Sequence, residues 1–152
     1  YEQEAILEPY TSKNLSDEGP RLLHEGGEVT IVGCGYSTLL ITDLIKDFQN
    51  NNINPDIIDI RVLNPFDAEV IIKSVKKTGK VVVVDGGWRN CGFAGEVIAS
   101  VTESIEPKHL KLKPLRITLP DAPAPTANVL EKLYYPDKKL IFNSVKNMFK
   151  GG

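Results

Sequence analysis

The chain has 152 residues, of which 41% are hydrophobic and 25% are charged, and its formal net charge at pH 7 is -2. This size and composition are typical of one globular domain with a substantial buried core. The pI near 5.7 excludes the basic footprint of a nucleic-acid-binding surface. No apolar run approaches the ~20 residues that a membrane-spanning helix needs, and no charged-then-apolar secretion signal opens the sequence.

The two cysteines, Cys34 and Cys91, are far apart, and each stands beside a glycine. Without a secretion signal we expect a reduced chain in the cytoplasm, or in the mitochondrial matrix of a eukaryote. A disulfide would require the two strand ends to be neighbours. Only His24 and His109 could join the cysteines at a metal, and their spacing matches no ligand pattern. The chain opens on Tyr1, which leads us to expect a longer parent polypeptide.

Residues 1–27 are mixed and polar, with the turn-rich pieces "EPYTSKNLSDEGP" and "HEGGE". Such composition predicts a connector, with one short ordered segment at most, that follows a missing upstream domain. We expect the folded domain to occupy residues 28–152.

Short apolar segments with the composition of buried strands alternate with helical patterns along the rest of the chain. The strand candidates are "VTIVGCG", "INPDIIDIRVL", "KVVVVDG" and "LKPLRITLP". This alternation predicts a three-layer α/β domain whose mostly parallel sheet has about five strands and right-handed crossovers.

Five segments between and after these strands predict helices. Ser37 is a candidate N-cap for the first helix, and either Asn64 or Pro65 opens the second, which Gly79 ends. The helical segments are "STLLITDLIKDFQNNN", "NPFDAEVIIKSVKKTG", "GFAGEVIASVTESI", "ANVLEKLYYP" and "DKKLIFNSVKNMFKGG".

The segment "GCGYST" after the first strand is partly similar to a dinucleotide-binding fingerprint. That motif requires a third glycine, where this chain has Thr38, and an acidic residue after the second strand, where this chain has Arg61. The alternative interpretation is a tight turn between strand and helix.

Two sets of charged residues are candidates for a structural or a functional role. Asp59 and Arg61 are spaced to point to the same side of a strand. They form either an ion pair that fixes the loop before "NPFD" or an anchor and anion contact. Glu96 stands in the first turn of a helix, where a carboxylate suits the helix dipole or could act as a general acid or base. No second carboxylate or histidine is placed near it.

Trp88 and Arg89 form an aromatic and cationic pair in the loop "GGWRNCGFAG". Such residues are enriched among interface anchors, and the alternative is a tryptophan folded back over the sheet edge. No Ser-His-Asp or Cys-His arrangement can be assembled from the sequence.

Several motifs together resemble a known family. The segments "IIDIRVLNPFD", "IIKSVKKTGKVVVVD", "GFAGEVIASVTE" and "LPDAPAPTANVLEKLYYPD" occur in the order and spacing found in the C-terminal domain of transketolase-like thiamine diphosphate enzymes. The resemblance covers about residues 28 to 148 and is strongest to the beta subunit of the first component of 2-oxo-acid dehydrogenase complexes, of the pyruvate and branched-chain types. This chain departs from the family at Asp85, where a glutamate is usual, and in "GFAGE", where "GFGAE" is usual.

The resemblance implies an assembly domain of an oxidoreductase that decarboxylates a 2-oxo acid and transfers the acyl group to a lipoyl group. Thiamine diphosphate and Mg²⁺ are bound in that family by domains absent here, so no catalytic, cofactor or metal residue is carried over. The implied partners are an alpha subunit, a second beta subunit and a dihydrolipoyl acyltransferase core. The interface candidates are Asp59, Arg61, Trp88, Arg89 and Phe93.

Two other functions remain open at this stage. The C-terminal domain of a transketolase or a deoxyxylulose phosphate synthase shares the implied fold and differs in substrate. A small nucleotide-binding module is a candidate of another class and depends on "GCGYST" alone.

Overall fold

The computed structural model describes residues 18–150. Five strands form one sheet: β1 (Arg21–His24), β2 (Val29–Gly33), β3 (Pro55–Asp59), β4 (Val81–Trp88) and β5 (Leu115–Leu119). Their spatial order is β1-β3-β2-β4-β5. The β1 strand is antiparallel to β3, and every other pair of neighbours is parallel.

Helices cover both faces of this sheet. The α-helices among the described residues are α1 (Tyr36–Asp43), α2 (Ile45–Asn50), α3 (Glu69–Thr78), α4 (Phe93–Ser104), α5 (Asn128–Tyr134) and α6 (Lys138–Lys150). Ile41, Phe48 and Ile141 bring α1, α2 and α6 to one core cluster. Val75 and Val97 bring α3 and α4 to the other. The predicted three-layer α/β architecture with a mostly parallel sheet is therefore confirmed.

The four consecutive valines of β4 divide between these two cores. Val82 and Val84 pack on the side of α1 and α6, whereas Val81 and Val83 pack on the side of α3 and α4. A central strand that is buried on both faces needs no polar alternation, which explains the uninterrupted apolar run.

The sheet begins before residue 28, where the sequence places the start of the domain. Arg21 pairs with Asp59 and Leu22 with Ile58, so the end of the predicted connector adds an edge strand to the sheet. His24 also contacts the β3 backbone, with 2.7 Å between its Nδ1 and the Pro55 carbonyl oxygen. The part of the connector before residue 18 lies outside the described residues.

The first predicted helix differs in its start and in its continuity. Ser37 is not the N-cap, because the chain turns at Gly35, whose φ of 57° favours glycine, and the helix has already begun when Ser37 is reached. At the other end, the Leu44 N–H donates to the Ile41 carbonyl at 3.1 Å. This contact ends α1, and α2 follows directly from Leu44.

The second predicted helix begins later than expected. Neither Asn64 nor Pro65 opens it, since α3 begins at Glu69, whose backbone N–H donates to Asp67 Oδ1 at 2.8 Å. Its predicted end is confirmed: Gly79 is the C-cap, with φ of 74°.

A buried polar network joins the amino-terminal end of β3 to α3. Asp56, which is 1% exposed, accepts hydrogen bonds from Ser74 Oγ at 2.6 Å and from the Gly26 N–H at 2.8 Å. Lys77 Nζ lies 2.8 Å from Asp56 Oδ2, the oxygen that also accepts from Ser74. Burial by itself raises the pKa of Asp56, but these hydrogen bonds and the lysine charge hold that pKa below its ordinary value. The same contact raises the pKa of Lys77.

Candidate functional site

The carboxyl ends of β2, β3 and β4 meet at one edge of the sheet. The chain passes from β2 to β3 on one side and then to β4 on the other, so β2 marks a reversal in strand order. In α/β proteins ligands bind in the crevice at such a point. We therefore define the candidate site as residues 33–38, 59–61 and 85–92.

The "GCGYST" turn packs closely against its own strand. A Cβ on Gly33 would lie 2.9 Å from Thr38 Oγ1 and 2.7 Å from Ile41 Cδ1. Thr38 Oγ1 donates to Asp59 Oδ1 at 2.9 Å. A carboxylate beside the turn would repel a phosphate, so the geometry favours the tight-turn interpretation over a dinucleotide fingerprint.

Cys34 lies in the middle of this edge, and its environment disfavours the reactive thiolate form. Burial raises the pKa of its thiol, and the carboxylates of Asp59 and Asp85 raise the pKa further. A thiol rather than a thiolate therefore prevails at neutral pH, which does not suit a nucleophile. Cys34 and Cys91 are both free, and no disulfide joins them.

Asp59 and Arg61 form the predicted ion pair, but not by the predicted geometry. β3 ends at Asp59, and Arg61 has a positive φ of 59°, so they do not share one side of a strand. Arg61 Nη1 lies 3.6 Å from Asp59 Oδ2, and its Nε donates to Glu18 Oε2 at 2.9 Å. Glu18 also contacts Arg21 at 3.2 Å. The pair thus joins the entering chain to the end of β3.

The end of β4 and the loop that follows it are held by the carboxylate of Asp85, a residue of the strand. Asp85 Oδ1 accepts the Gly87 N–H at 2.8 Å, and Oδ2 accepts the Ala94 N–H at 2.9 Å. A Cβ on Gly92 would lie 1.8 Å from the Trp88 carbonyl oxygen. Because backbone cannot yield as a flexible side chain does, only glycine fits there.

Trp88 is fixed in place yet half exposed. Its Nε1 donates to the Tyr134 hydroxyl at 3.0 Å, and that hydroxyl donates to the Ala122 carbonyl at 2.7 Å. The indole remains 54% exposed. Arg89 beside it is exposed, and its carbonyl accepts a hydrogen bond from Arg116 at 3.0 Å. An aromatic side chain in a fixed position loses little entropy on binding, as an interface anchor should.

Phe93 and Glu96 begin α4. The Phe93 ring meets the Phe66 ring edge to face, with 5.0 Å between centroids, so Phe93 packs at the rim of the core. Glu96 is exposed in the first turn, as the helix-dipole interpretation expects. Of the five interface candidates, Asp59 and Arg61 thus form an ion pair, Phe93 packs against Phe66, and Trp88 and Arg89 are exposed.

The α5 helix has an exposed apolar face that the sequence analysis does not predict. Val129, Leu130 and Leu133 are large apolar residues that α5 leaves exposed, and Tyr134 is its one buried residue. The available signal was the apolar spacing in "NVLEKLY", which we interpreted only as a helix.

Residues 18–150 contain no group of three or more His, Cys, Asp or Glu side chains placed to hold a metal ion. No helix among them is both long and apolar enough to cross a bilayer.

Comparisons with known proteins agree with this architecture. Residues 20–141 match the family model "Transketolase, C-terminal domain". A solved split-gene transketolase, an inactive beta4 tetramer, has a TM-score of 0.78 at 20% identity, covering 97% of this chain and 46% of that chain. At this identity the likeness establishes the fold alone.

Relatives with higher identity are subunits of 2-oxo-acid dehydrogenases. The chain is 37% identical over 128 residues to the pyruvate dehydrogenase E1 component subunit beta of Rickettsia bellii, covering 84% of this chain and 39% of that protein. It is 32% identical over 127 residues to the mitochondrial 2-oxoisovalerate dehydrogenase subunit beta of Dictyostelium discoideum, covering 83% of this chain and 34% of that protein. The chain thus spans well under half of the length of these relatives. Its fold and its family match establish that it belongs to the transketolase C-terminal domain family.

Proposed function

We propose that this chain is the C-terminal assembly domain of a thiamine diphosphate-dependent 2-oxo-acid dehydrogenase beta subunit. The observation that supports this most is the identity of 36–37% to pyruvate dehydrogenase E1 beta subunits over 84–92% of the chain. The parent reaction is oxidative decarboxylation of a 2-oxo acid with acyl transfer to a lipoyl group. The bacterial and mitochondrial relatives favour a cytoplasmic or mitochondrial matrix location.

The described residues do not fit thiamine diphosphate and Mg²⁺. Residues 18–150 offer no carboxylate cluster for the ion, and the glycine turn that a pyrophosphate would need faces Asp59. When bound, the cofactor would stabilise the carbanion formed by decarboxylation. We place its binding in other domains of the parent protein, so this domain contributes no reacting group.

The assembly role centres on the outward part of the candidate site. Trp88 and Arg89 are the contact residues that we propose: Trp88 is the last residue of β4 rather than a loop residue, Arg89 follows it, and both are exposed. Asp85 and Arg116 hold the segment from two sides. The other interface candidates have contacts within the domain: Asp59 and Arg61 pair with each other, and Phe93 packs against Phe66. The proposed partners are the alpha subunit, a second beta subunit and a dihydrolipoyl acyltransferase core.

Transketolase and deoxyxylulose phosphate synthase remain the alternative parents. Likeness to the split-gene transketolase does not separate them from the dehydrogenases, because these enzymes share the fold and differ in substrate. Sequence identity favours the dehydrogenase, and the Asp59 carboxylate beside "GCGYST" disfavours the nucleotide-binding module.

A domain exchange tests this function. We would replace the corresponding C-terminal region of the Rickettsia bellii beta subunit with this chain, produce it with its alpha subunit, and supply thiamine diphosphate and Mg²⁺. We expect assembly and decarboxylation of a 2-oxo acid, and no turnover by the isolated chain. Trp88→Ala should weaken assembly more than Glu103→Gln, a change at an exposed residue near the end of α4.

Three results would contradict the proposal. They are turnover of a 2-oxo acid by the isolated chain, activity of the chimera on a sugar phosphate alone, and equal effects of the two substitutions on assembly.

A further inference from the structure

An open groove lies between the first half of α1 and the junction of α5 with α6. Its volume is about 830 Å³, and Tyr36, Leu40 and Tyr135 form its apolar part. Tyr36 is 69% exposed and Tyr135 is 40% exposed, so two aromatic rings lie partly open to solvent here. We define the α1–α5 groove by Tyr36 and Leu40 of α1, Lys132 of α5 and residues 135–139.

The rim of this groove offers positive charge. Asp137 is occupied, because its Oδ1 accepts a backbone N–H of α6 at 2.6 Å. Lys138 pairs with a carboxylate of α1, and Glu131 also has an interaction partner. Lys132 and Lys139, in contrast, are exposed and make no ion pair among residues 18–150. The groove therefore suits an acidic occupant, whereas two copies of it would bring lysines together.

Glu18, the first residue that the structure describes, is linked to one wall of the groove. Its Oε2 accepts a hydrogen bond from Arg61 Nε at 2.9 Å, and Arg61 Nη1 lies 3.6 Å from Asp59 Oδ2. The other oxygen of Asp59 accepts from Thr38 Oγ1, in the first turn of α1, at 2.9 Å. Three side-chain contacts thus lead from the start of the described chain to the helix that lines the groove.

The 17 residues before Glu18 have a composition that matches the groove. They contain four acids and one lysine, and the piece "EAILEPY" places Ile6 and Leu7 between two glutamates, with Tyr10 close behind. Fully extended, 17 residues reach roughly 56 Å, which exceeds the width of a domain whose radius of gyration is about 15 Å. A tethered segment has an effective concentration in the mM range, so an open groove can bind it without the entropic cost that a separate partner meets.

We propose that residues 1–17 of this chain bind in the α1–α5 groove, with their apolar side chains against its tyrosines and their acids beside Lys132 and Lys139. This contact goes beyond the proposed function and does not depend on it. It holds the connector along one side of the domain. Trp88 and Arg89 do not line the groove, so they stay open to other subunits.

Limited digestion of the 152-residue chain with trypsin tests the contact, because Lys13 is the one trypsin site of the segment. Trypsin cuts the segment when it leaves the groove, so the cleavage rate follows the undocked fraction. We expect Tyr36→Ala to accelerate cleavage about fivefold and Lys139→Glu about threefold. Leu133→Ala and Lys73→Glu are the matched controls, since both residues are exposed outside the groove, and each should change the rate less than about twofold.

Lysine acetylation with N-hydroxysuccinimide acetate, followed by mass spectrometry, gives a reciprocal readout in the groove itself. The double change Ile6→Glu and Leu7→Glu should raise the labelling rate of Lys139 about fivefold and leave that of Lys73 unchanged. Both measurements should give the same rates at about 5 µM and about 100 µM of chain, because the contact lies within one molecule. Far-UV circular dichroism verifies that each variant has folded.

Three results would overturn this contact. Equal cleavage rates for the wild type, Tyr36→Ala and Leu133→Ala would mean that the segment does not occupy the groove. A labelling rate of Lys139 that does not respond to the changes at Ile6 and Leu7 would mean the same. Protection that increases with chain concentration would identify a second copy as the occupant.

Discussion

Replacing Asp85 by alanine tests whether a strand carboxylate holds the loop that presents Trp88. One Asp85 oxygen accepts the Gly87 N–H at 2.8 Å, and the other accepts the Ala94 N–H at 2.9 Å. Ala94 is the second residue of α4, and the N-cap, Gly92, has no side chain to reach it. Asp85 therefore does from a distance what an N-cap side chain ordinarily does.

The cost of this change follows from the two contacts. Loss of an N-cap side chain lowers stability by about 1 kcal/mol, and a hydrogen bond to a charged group contributes about 1.5–3 kcal/mol. Asp85 is only partly buried, so water can replace part of the second contact. We expect Asp85→Ala to lower the free energy of unfolding by about 2–3 kcal/mol. At a urea m-value of about 2 kcal/mol/M, the midpoint then falls by about 1 M.

Urea unfolding followed by far-UV circular dichroism measures this loss. Asp85→Asn keeps one acceptor oxygen and should lose about half as much. Glu96→Gln removes a carboxylate that meets only the helix dipole and should cost about 0.5 kcal/mol. If Asp85→Ala costs no more than Glu96→Gln, the direct hydrogen bonds do not hold the loop.

Two further changes test local packing and the buried ion pair. Gly92→Ala should destabilise the chain by about 2 kcal/mol, because its Cβ meets the Trp88 carbonyl. Gly95 lies within α4, and a Cβ there would make only an ordinary contact, so Gly95→Ala should stabilise the chain by about 0.5 kcal/mol. Calorimetry that shows stability changing in the same direction for both substitutions would refute this reasoning. Asp56→Asn should cost about 2–3 kcal/mol at pH 7, because the network around Lys77 loses its carboxylate. Because the pKa of Asp56 is lowered in the folded chain, the stability lost by Asp56→Asn should shrink as pH falls below about 4. A loss of stability that does not vary with pH would show that the ion pair of Asp56 with Lys77 does not stabilise the fold.

The sequence predicts the interior of this domain better than its edges. The valine run of β4 and the apolar positions of α3 follow from burial, which leaves a direct record in composition. Gly79 was recognised as a helix end because a left-handed C-cap is a local requirement. The edge strand Arg21–His24 cannot be recognised in this way, since it is four residues long and two of them are exposed. Its place depends on a partner strand more than thirty residues away.

Contacts distant in sequence explain the other differences. Asp85 caps a helix that begins eight residues later, and no N-cap rule for adjacent residues would find it. The spacing of Asp59 and Arg61 predicts an ion pair between them, but not the link of Arg61 to Glu18 or its positive φ. The exposure of α5 could not be read from "NVLEKLY" because the same spacing is typical of a buried helix face.

The polar groups of the candidate site are already paired with one another. Thr38 satisfies Asp59, the α4 backbone satisfies Asp85, and Arg61 is paired with Glu18 and Asp59. Among residues 18–150 no buried side-chain nitrogen or oxygen lacks a hydrogen-bond partner. A cofactor that bound here would have to break these contacts before making its own, at a cost of about 1–3 kcal/mol for each buried group left unsatisfied. A protein partner at Trp88 would break none of them, because the indole already has its hydrogen bond and offers only its exposed face.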